Sequence, residues 1–448
     1  MMRKTSLSRP TRATLYLVAC SGVAALMATL PDARAEDAGL VEKGRYIATA
    51  ADCFACHTSP GGKPFAGGYP ITTPVGTIYS TNITPAPRTG IGTYTKAEFF
   101  DAVRRGIGRG GKRLYPAMPY ASYAAVTDDD MEALYAFFSS AVALVEQENR
   151  PDTVRFPFSI RSGLVLWNWL YLDTRPFQAQ PRETPQVTRG RYLVDHLEHC
   201  GTCHTPRTML MGPARGRYLA GSAVGAWYAP NITTDKIAGI ADWTDSDLRN
   251  YLKTGHALNK GQAAGPMAEA VTNSTQFLTS NDVDAMIAYL REVPAIAGDE
   301  KRSRTSYGSA DRPEDVARGQ TGSENRGWKI FSGACASCHQ AEGQGVNAYP
   351  SLTHNSTTGS PNARNLVATI LTGVERRSGD SSVFMPAFGS GALWVNRLSD
   401  QDIADVSNFI LKTFGNPSVQ IDASYVAKQR AALTPWFHAL APLWSAKP

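Results

Sequence analysis

The chain has 448 residues, a formal charge of +6 and seven cysteines. The length allows about three domains of ordinary size. Residues 1–35 hold five Lys or Arg and one Asp, so the remainder carries only +2. With no basic cluster beyond that leader, the composition excludes a nucleic-acid binder.

Arg3, Lys4, Arg9 and Arg12 precede an apolar stretch from Ala13 to Leu30, and Ala33-Arg34-Ala35 gives an A-x-A cleavage pattern. This predicts a signal peptide over residues 1–35 and therefore export. Two alternatives stand beside it. Leu17-Val18-Ala19-Cys20 resembles a lipobox. A retained anchor fits less well, because the apolar run is short and broken at Ser21 and Gly22.

Six of the seven cysteines lie in a pentapeptide that occurs three times: Cys53-Phe54-Ala55-Cys56-His57, Cys200-Gly201-Thr202-Cys203-His204 and Cys335-Ala336-Ser337-Cys338-His339. C-x-x-C-H is the attachment sequence of a c-type haem. Two thiols at this spacing can each close a thioether to one porphyrin, and the adjacent His supplies the proximal nitrogen to iron. Three haem c groups are expected. They are held by Cys53 and Cys56, Cys200 and Cys203, and Cys335 and Cys338, with His57, His204 and His339 as proximal ligands. A redox or zinc C-x-x-C followed by a chance His does not survive three occurrences. No cysteine pair is left for a structural disulfide.

The first two motifs belong to an internal repeat. GRYIATAADCFACH (44–57) matches GRYLVDHLEHCGTCH (190–204) with one inserted residue. Downstream, Tyr79 to Thr84 matches Tyr228 to Thr233. Asn82 and Asn231 there begin N-x-T sequons, and their equivalent placement favours a structural turn role. Thr95-x-x-Glu98 and Thr244-x-x-Asp247 read as capped helix starts.

Each module then offers a Met in a Pro- or Gly-flanked loop: Met118, Met267 and Met385. They follow the proximal His by 61, 63 and 46 residues. A distal thioether is expected as the sixth iron ligand, raising the potential. Met131 and Met286 read as core filler. Met209 and Met211 read as local packing behind the second motif, with a ligand role left open.

Helices opened by Thr127-x-x-Asp130, Thr279-x-x-Asp282 and Ser399-x-x-Asp402 close the three modules. They are expected to cross the helix that carries each motif. The fold class expected is all-α: three tandem class I cytochrome c-like domains over 36–150, 186–296 and 323–416, each built around its haem. Residues 151–185 form an apolar linker, too short to span a bilayer at Gly163 to Leu172. Residues 297–322 form a polar linker. The tail, 417–448, carries Trp436, Phe437, Leu440, Leu443 and Trp444. Both Trp-rich stretches fit either inter-domain packing or a membrane interface. His196 and His199 lie on the proximal side of the second motif. His256 and His354 are weaker distal candidates than the Met residues, and His438 reads as exposed.

The chain resembles the triple-haem cytochrome c subunits of membrane-bound alcohol, sugar and sugar-acid dehydrogenases. The resemblance rests on Ala66-Gly67-Gly68, GTIYSTNIT (76–84), GIG (90–92), LYPAMPY (114–120), HCGTCHTPR (199–207), AGPMAEA (264–270) and CASCH with YPSL (335–352), and it covers the mature chain. It implies a subunit without catalytic residues. A large FAD- or PQQ-containing dehydrogenase subunit, with a possible third small subunit, would oxidise the substrate. This chain would pass the electrons to ubiquinone from the periplasmic face of the bacterial inner membrane, attached peripherally. The AGPMAEA and MPAFG wording is more similar to partners of FAD-dependent gluconate, glucose, fructose or sorbitol dehydrogenases. The alternative is a partner of a quinoprotein alcohol or aldehyde dehydrogenase. A haem enzyme with its own active site would need an open iron, which three well-placed Met residues disfavour. A soluble electron shuttle fits the length and apolar stretches poorly.

Overall fold

A computed structural model describes residues 33–308, 323–346, 349–389, 392 and 396–440. The leader up to residue 32, Cys20, residues 309–322 of the polar linker and Trp444 lie outside the described residues, as do the side chains of Trp436 and His438.

Every module starts with a long helix ending near the motif and finishes with a capped helix packed across it. In the first, α1 (Ala33–Ala50) leads to the short motif helix α2 (Cys53–His57). A hairpin, β1 (Pro70–Thr73) with β2 (Gly76–Tyr79), follows, then α3 (Lys96–Arg105). A second hairpin, β3 (Ile107–Gly108) with β4 (Lys112–Arg113), leads to α4 (Tyr120–Tyr123) and the closing helix α5 (Asp128–Ser140). The apolar linker carries α6 (Leu164–Tyr171).

The second module repeats this order. It comprises α7 (Pro185–Tyr192), continued by a wider turn to Leu197, the motif helix α8 (Gly201–His204) and β5 (Ser222–Val224) with β6 (Trp227–Ala229). Then come α9 (Asp245–Thr254), β7 (His256–Ala257) with β8 (Gly261–Gln262), α10 (Pro266–Asn273) and α11 (Ser280–Glu292). The third has α12 (Ser323–Ala334), motif helix α13 (Ala336–His339), α14 (Arg364–Thr372), β9 (Val374–Ser378) with β10 (Ser381–Met385), α15 (Asp400–Phe414) and α16 (Ala423–Leu440).

Local chemistry sets the helix starts. Thr95 and Thr244 close capping boxes with Glu98 and Asp247, as their spacing predicts, and Ser399 does so with Asp402. Thr127 and Thr279 accept from the amides of Asp130 and Asp282. The five hairpins among the described residues qualify the all-α expectation. They are two to five residues long per strand, too short for a period-two pattern to stand out in sequence.

The expected helix crossings are present in all three modules, and glycine permits them. A Cβ on Gly44 would lie 1.9 Å from the carbonyl oxygen of Ala133, and one on Gly190 1.9 Å from that of Ala285. The first two modules share one core, from Ile47, Phe99 and Phe138 through to Leu193, Leu197 and Met286. Met131 and Met286 are fully buried in it, as expected of filler. The third core, around Phe331, Leu371 and Phe414, takes in Trp227 of the second module. Val426 and Leu433 of α16 are fully buried there, so the tail packs on its own module as far as Leu433. Part of the polar linker is also fixed. Arg304 is buried and donates to the Ala238 carbonyl at 2.9 Å.

Candidate functional site

The three motif histidines share one geometry. His57 Nδ1 lies 2.7 Å from the Thr81 carbonyl oxygen, His204 Nδ1 2.6 Å from that of Pro230, and His339 Nδ1 3.0 Å from that of Pro350. A carbonyl only accepts, so Nδ1 carries the proton and Nε2 keeps its lone pair. This is the orientation that second-shell partners give metal-bound imidazoles. Burial lowers the pKa of all three, which keeps the rings neutral.

Two of those carbonyls, of Thr81 and Pro230, are held in place by the sequon asparagines. Asn82, buried, accepts from the Thr84 amide at 2.9 Å and donates to the Val145 carbonyl at 2.7 Å. Asn231, also buried, accepts from the Thr233 amide at 2.8 Å and donates to the Ile296 carbonyl at 2.7 Å. Each pins the turn whose preceding carbonyl orients the imidazole. The structural reading of both asparagines therefore holds. The carbonyl partners themselves escaped sequence reasoning, because any residue type supplies one. The repeated N-I-T wording was the available signal.

The six motif cysteines are half-buried, and none is in a disulfide. Burial pushes the Cys53 and Cys335 thiols up to about 12 and raises Cys56, Cys200 and Cys203 as well. Those five are shifted upward, whereas redox C-x-x-C pairs carry a lowered thiol. Among the described residues no group of three His, Cys, Asp or Glu converges as zinc ligands would. Paired thiols, an imidazole with a free Nε2 and apolar walls fit a covalent haem.

The loop methionines are placed unequally. Met118 packs on the shared core together with Cys53, and Met385 on the third core with Cys335. Met267, the second residue of α10, packs in a separate small cluster with Ala263, Ala268, Val271 and Tyr251. Met209 and Met211 are exposed instead of packed. His196 bonds the Ser122 carbonyl at 2.8 Å, and the His199 ring meets Tyr123 edge-on at 5.6 Å. Both thus touch α4 of the first module. His256 pairs with Gln262 at 2.8 Å and His354 with the Thr305 carbonyl at 3.1 Å.

The three sites are neighbours. α10, which carries Met267, packs on motif helix α2, and α4, just after Met118, packs on the turn before Cys200. The second distal loop thus lies against the first motif, and the segment after Met118 lies against the approach to the second. The β9–β10 hairpin, which ends at Met385, packs on α10. Between the first two sites, burial pushes the Glu198 and Glu269 carboxyls up to about 8.

Three repeats of this site define a multihaem c-type electron carrier. The Cytochrome c family profile matches residues 41–141, 187–294 and 324–414, and the chain belongs to that family with three haem c groups. It is 42% identical to the fructose dehydrogenase cytochrome subunit of Gluconobacter japonicus, over 95% of this chain and 89% of the relative. It is 40% identical to the gluconate 2-dehydrogenase cytochrome c subunit of Pantoea cypripedii, over 91% and 92%. Against the cytochrome c subunit of the quinone-linked alcohol dehydrogenase of Gluconobacter oxydans (strain 621H) it is 36% identical, over 94% and 88%.

Proposed function

We propose that this chain is the electron-transfer subunit of a periplasmic dehydrogenase complex that oxidises a sugar, sugar acid or alcohol and delivers electrons to ubiquinone. The partner is a large FAD- or PQQ-containing subunit. Haem c supplies reversible one-electron chemistry at each site. Cys53 and Cys56, Cys200 and Cys203, and Cys335 and Cys338 tether it. His57, His204 and His339, oriented by the Thr81, Pro230 and Pro350 carbonyls, would hold iron through Nε2. Met118, Met267 and Met385 would supply a thioether as the second protein ligand to each iron. The apolar cores exclude water, so each site changes charge with little rearrangement.

The observation that carries this reading is the adjacency of the three sites across α2, α4, α10 and the β9–β10 hairpin. A row of neighbouring haem sites suits the passage of electrons from one to the next. The dehydrogenase partner follows from the names of the relatives. The helical cytochrome c-like domains are taken over 36–150, 186–296 and 323–416. Attachment to the membrane is taken to be peripheral; among the described residues no helix is long and apolar enough to cross it. The test is purification from membranes. A co-purifying dehydrogenase subunit whose substrate reduces all three haems is expected. A chain isolated alone, with no substrate-dependent reduction in membranes, would contradict it.

A further inference from the structure

The apolar linker is built inside out. On α6, Asn168 points inward, accepting from the Tyr120 hydroxyl at 2.7 Å, and Trp167 donates to the Leu210 carbonyl at 3.1 Å. No residue of α6 is buried. Val165, Leu166, Trp169 and Leu170 face out, with Trp169 79% exposed. An ordinary surface helix in water has the opposite arrangement.

Two further segments continue that face. Phe156 is 80% exposed, Phe158 is exposed, and the turn from 157 to 163 runs directly into α6. Met209 is 102% exposed and Leu210 is exposed as well. The Met209–Met211 loop belongs to the second module, yet it is fastened to α6 by the Trp167 bond and by Tyr171 to Thr208 at 2.8 Å. Gly212 makes this possible, because a Cβ there would lie 2.2 Å from the Tyr171 ring. The result is one apolar surface drawn from the linker and the second module. A contiguous apolar patch on a soluble surface marks a contact site.

Charge identifies what it contacts. Residues 155–175 and 207–217 hold six arginines; Arg161 pairs with Asp152 and Arg175 with Asp173, which leaves Arg155, Arg207, Arg215 and Arg217 as the excess. Exposed Trp, Phe, Leu and Met beside an arginine excess suit an anionic bilayer surface. An acidic protein surface would complement the same rim, and the retention of the partner subunit tested below separates the two.

We infer that Phe156, Phe158, Leu166, Trp169, Met209 and Leu210 form a single lipid-contact surface that seats the first two modules on anionic phospholipid. This rests on the peripheral-attachment reading above and names its site and lipid class. The second-module loop is as much a part of it as the linker.

The test uses the purified holo-complex and sedimentation with vesicles of phosphatidylglycerol and phosphatidylcholine, or of phosphatidylcholine alone. Wild type should bind the mixed vesicles more tightly, and less so as salt rises. The double variant Trp169→Ser/Met209→Ser should lose most binding while keeping its haem content and its partner subunit. Arg215→Gln with Arg217→Gln should weaken binding about thirtyfold at low salt. Unchanged binding of Trp169→Ser/Met209→Ser overturns the proposal. Loss of the partner subunit from that variant also overturns it, since the face would then be a protein interface. If truncation after Leu433 alone abolishes binding while the double variant still binds, attachment is peripheral but this surface is not the site. If wild type binds neither vesicle, the attachment reading itself fails.

Discussion

The Tyr192 hydroxyl donates to the Asp130 carboxylate at 2.6 Å, across the boundary between the first two modules. Tyr46 makes the same bond to Asp282 at 2.5 Å. Tyr46 and Tyr192 are equivalent in the repeat, as are Asp130 and Asp282. A cation completes each corner: Lys43 meets Asp130 and Arg189 meets Asp282, both at 2.8 Å. The two modules are therefore joined about a local two-fold axis, as an isologous pair within one chain. The third module cannot join in the same way, because Lys329 stands where the tyrosines stand. Removing the hydroxyl with Tyr192→Phe should cost ~1–2 kcal/mol. A double-mutant cycle with Asp130→Asn, read by thermal unfolding, should show coupling of at least ~0.5 kcal/mol. Additive effects would mean the pair is incidental.

Gly190→Ala places a methyl 1.9 Å from the Ala285 carbonyl. The α7–α11 crossing has to open, at a cost of ~1–3 kcal/mol or more. The expected outcome is a lower unfolding midpoint and poor haem loading at the second site, measured by haem staining of the Cys200 and Cys203 peptide.

Arg376 ties the third module to the second. It is buried, and its guanidinium donates at 2.8 Å to the carbonyls of Thr254 and Ala263 and to the Gln262 side chain. Ala263 packs with Met267, and Arg376 lies on β9, the partner of the strand ending at Met385. Arg376→Met leaves buried carbonyls unpaired, at about 2–4 kcal/mol. Calorimetry should show the third module separating from the first two as its own transition.

Much of the site could be read from the chain. The three C-x-x-C-H motifs, the repeat and the helix caps are local patterns, and local patterns survive without coordinates. The joint between modules did not show, because Tyr46 and Asp282 lie 236 positions apart and each alone is an ordinary helix residue. The imidazole partners did not show either, since a backbone carbonyl leaves no trace in residue type. Asn82 and Asn231 were legible as turn residues, but what their turns present was not. In the linker the composition was ambiguous between packing and membrane contact. Only the inward Asn168 and outward Trp169 of α6 separate the two.

Acid stability should depend on Glu183. Arg191 donates to its carboxylate through Nε at 2.6 Å and Nη2 at 2.9 Å, which holds the carboxyl down at about 2. The folded value lies below the unfolded ~4.3. The contribution is therefore complete above that unfolded value and is lost as pH falls toward 2. Glu183→Gln should cost up to ~2 kcal/mol near neutral pH and converge with wild type near the acid limit, measured by urea unfolding at a series of pH values.

The claim on which the function turns is that all three irons are closed by a thioether opposite an imidazole. The measurement is electron paramagnetic resonance of the purified ferric chain, read with the weak Met-to-iron absorption band at the red end. Three low-spin signals are expected, and Met118→Ala, Met267→Ala and Met385→Ala should each remove one share of that band while all six thioethers stay in place. A high-spin signal in the resting protein, or a band untouched by any one of the three replacements, would contradict it.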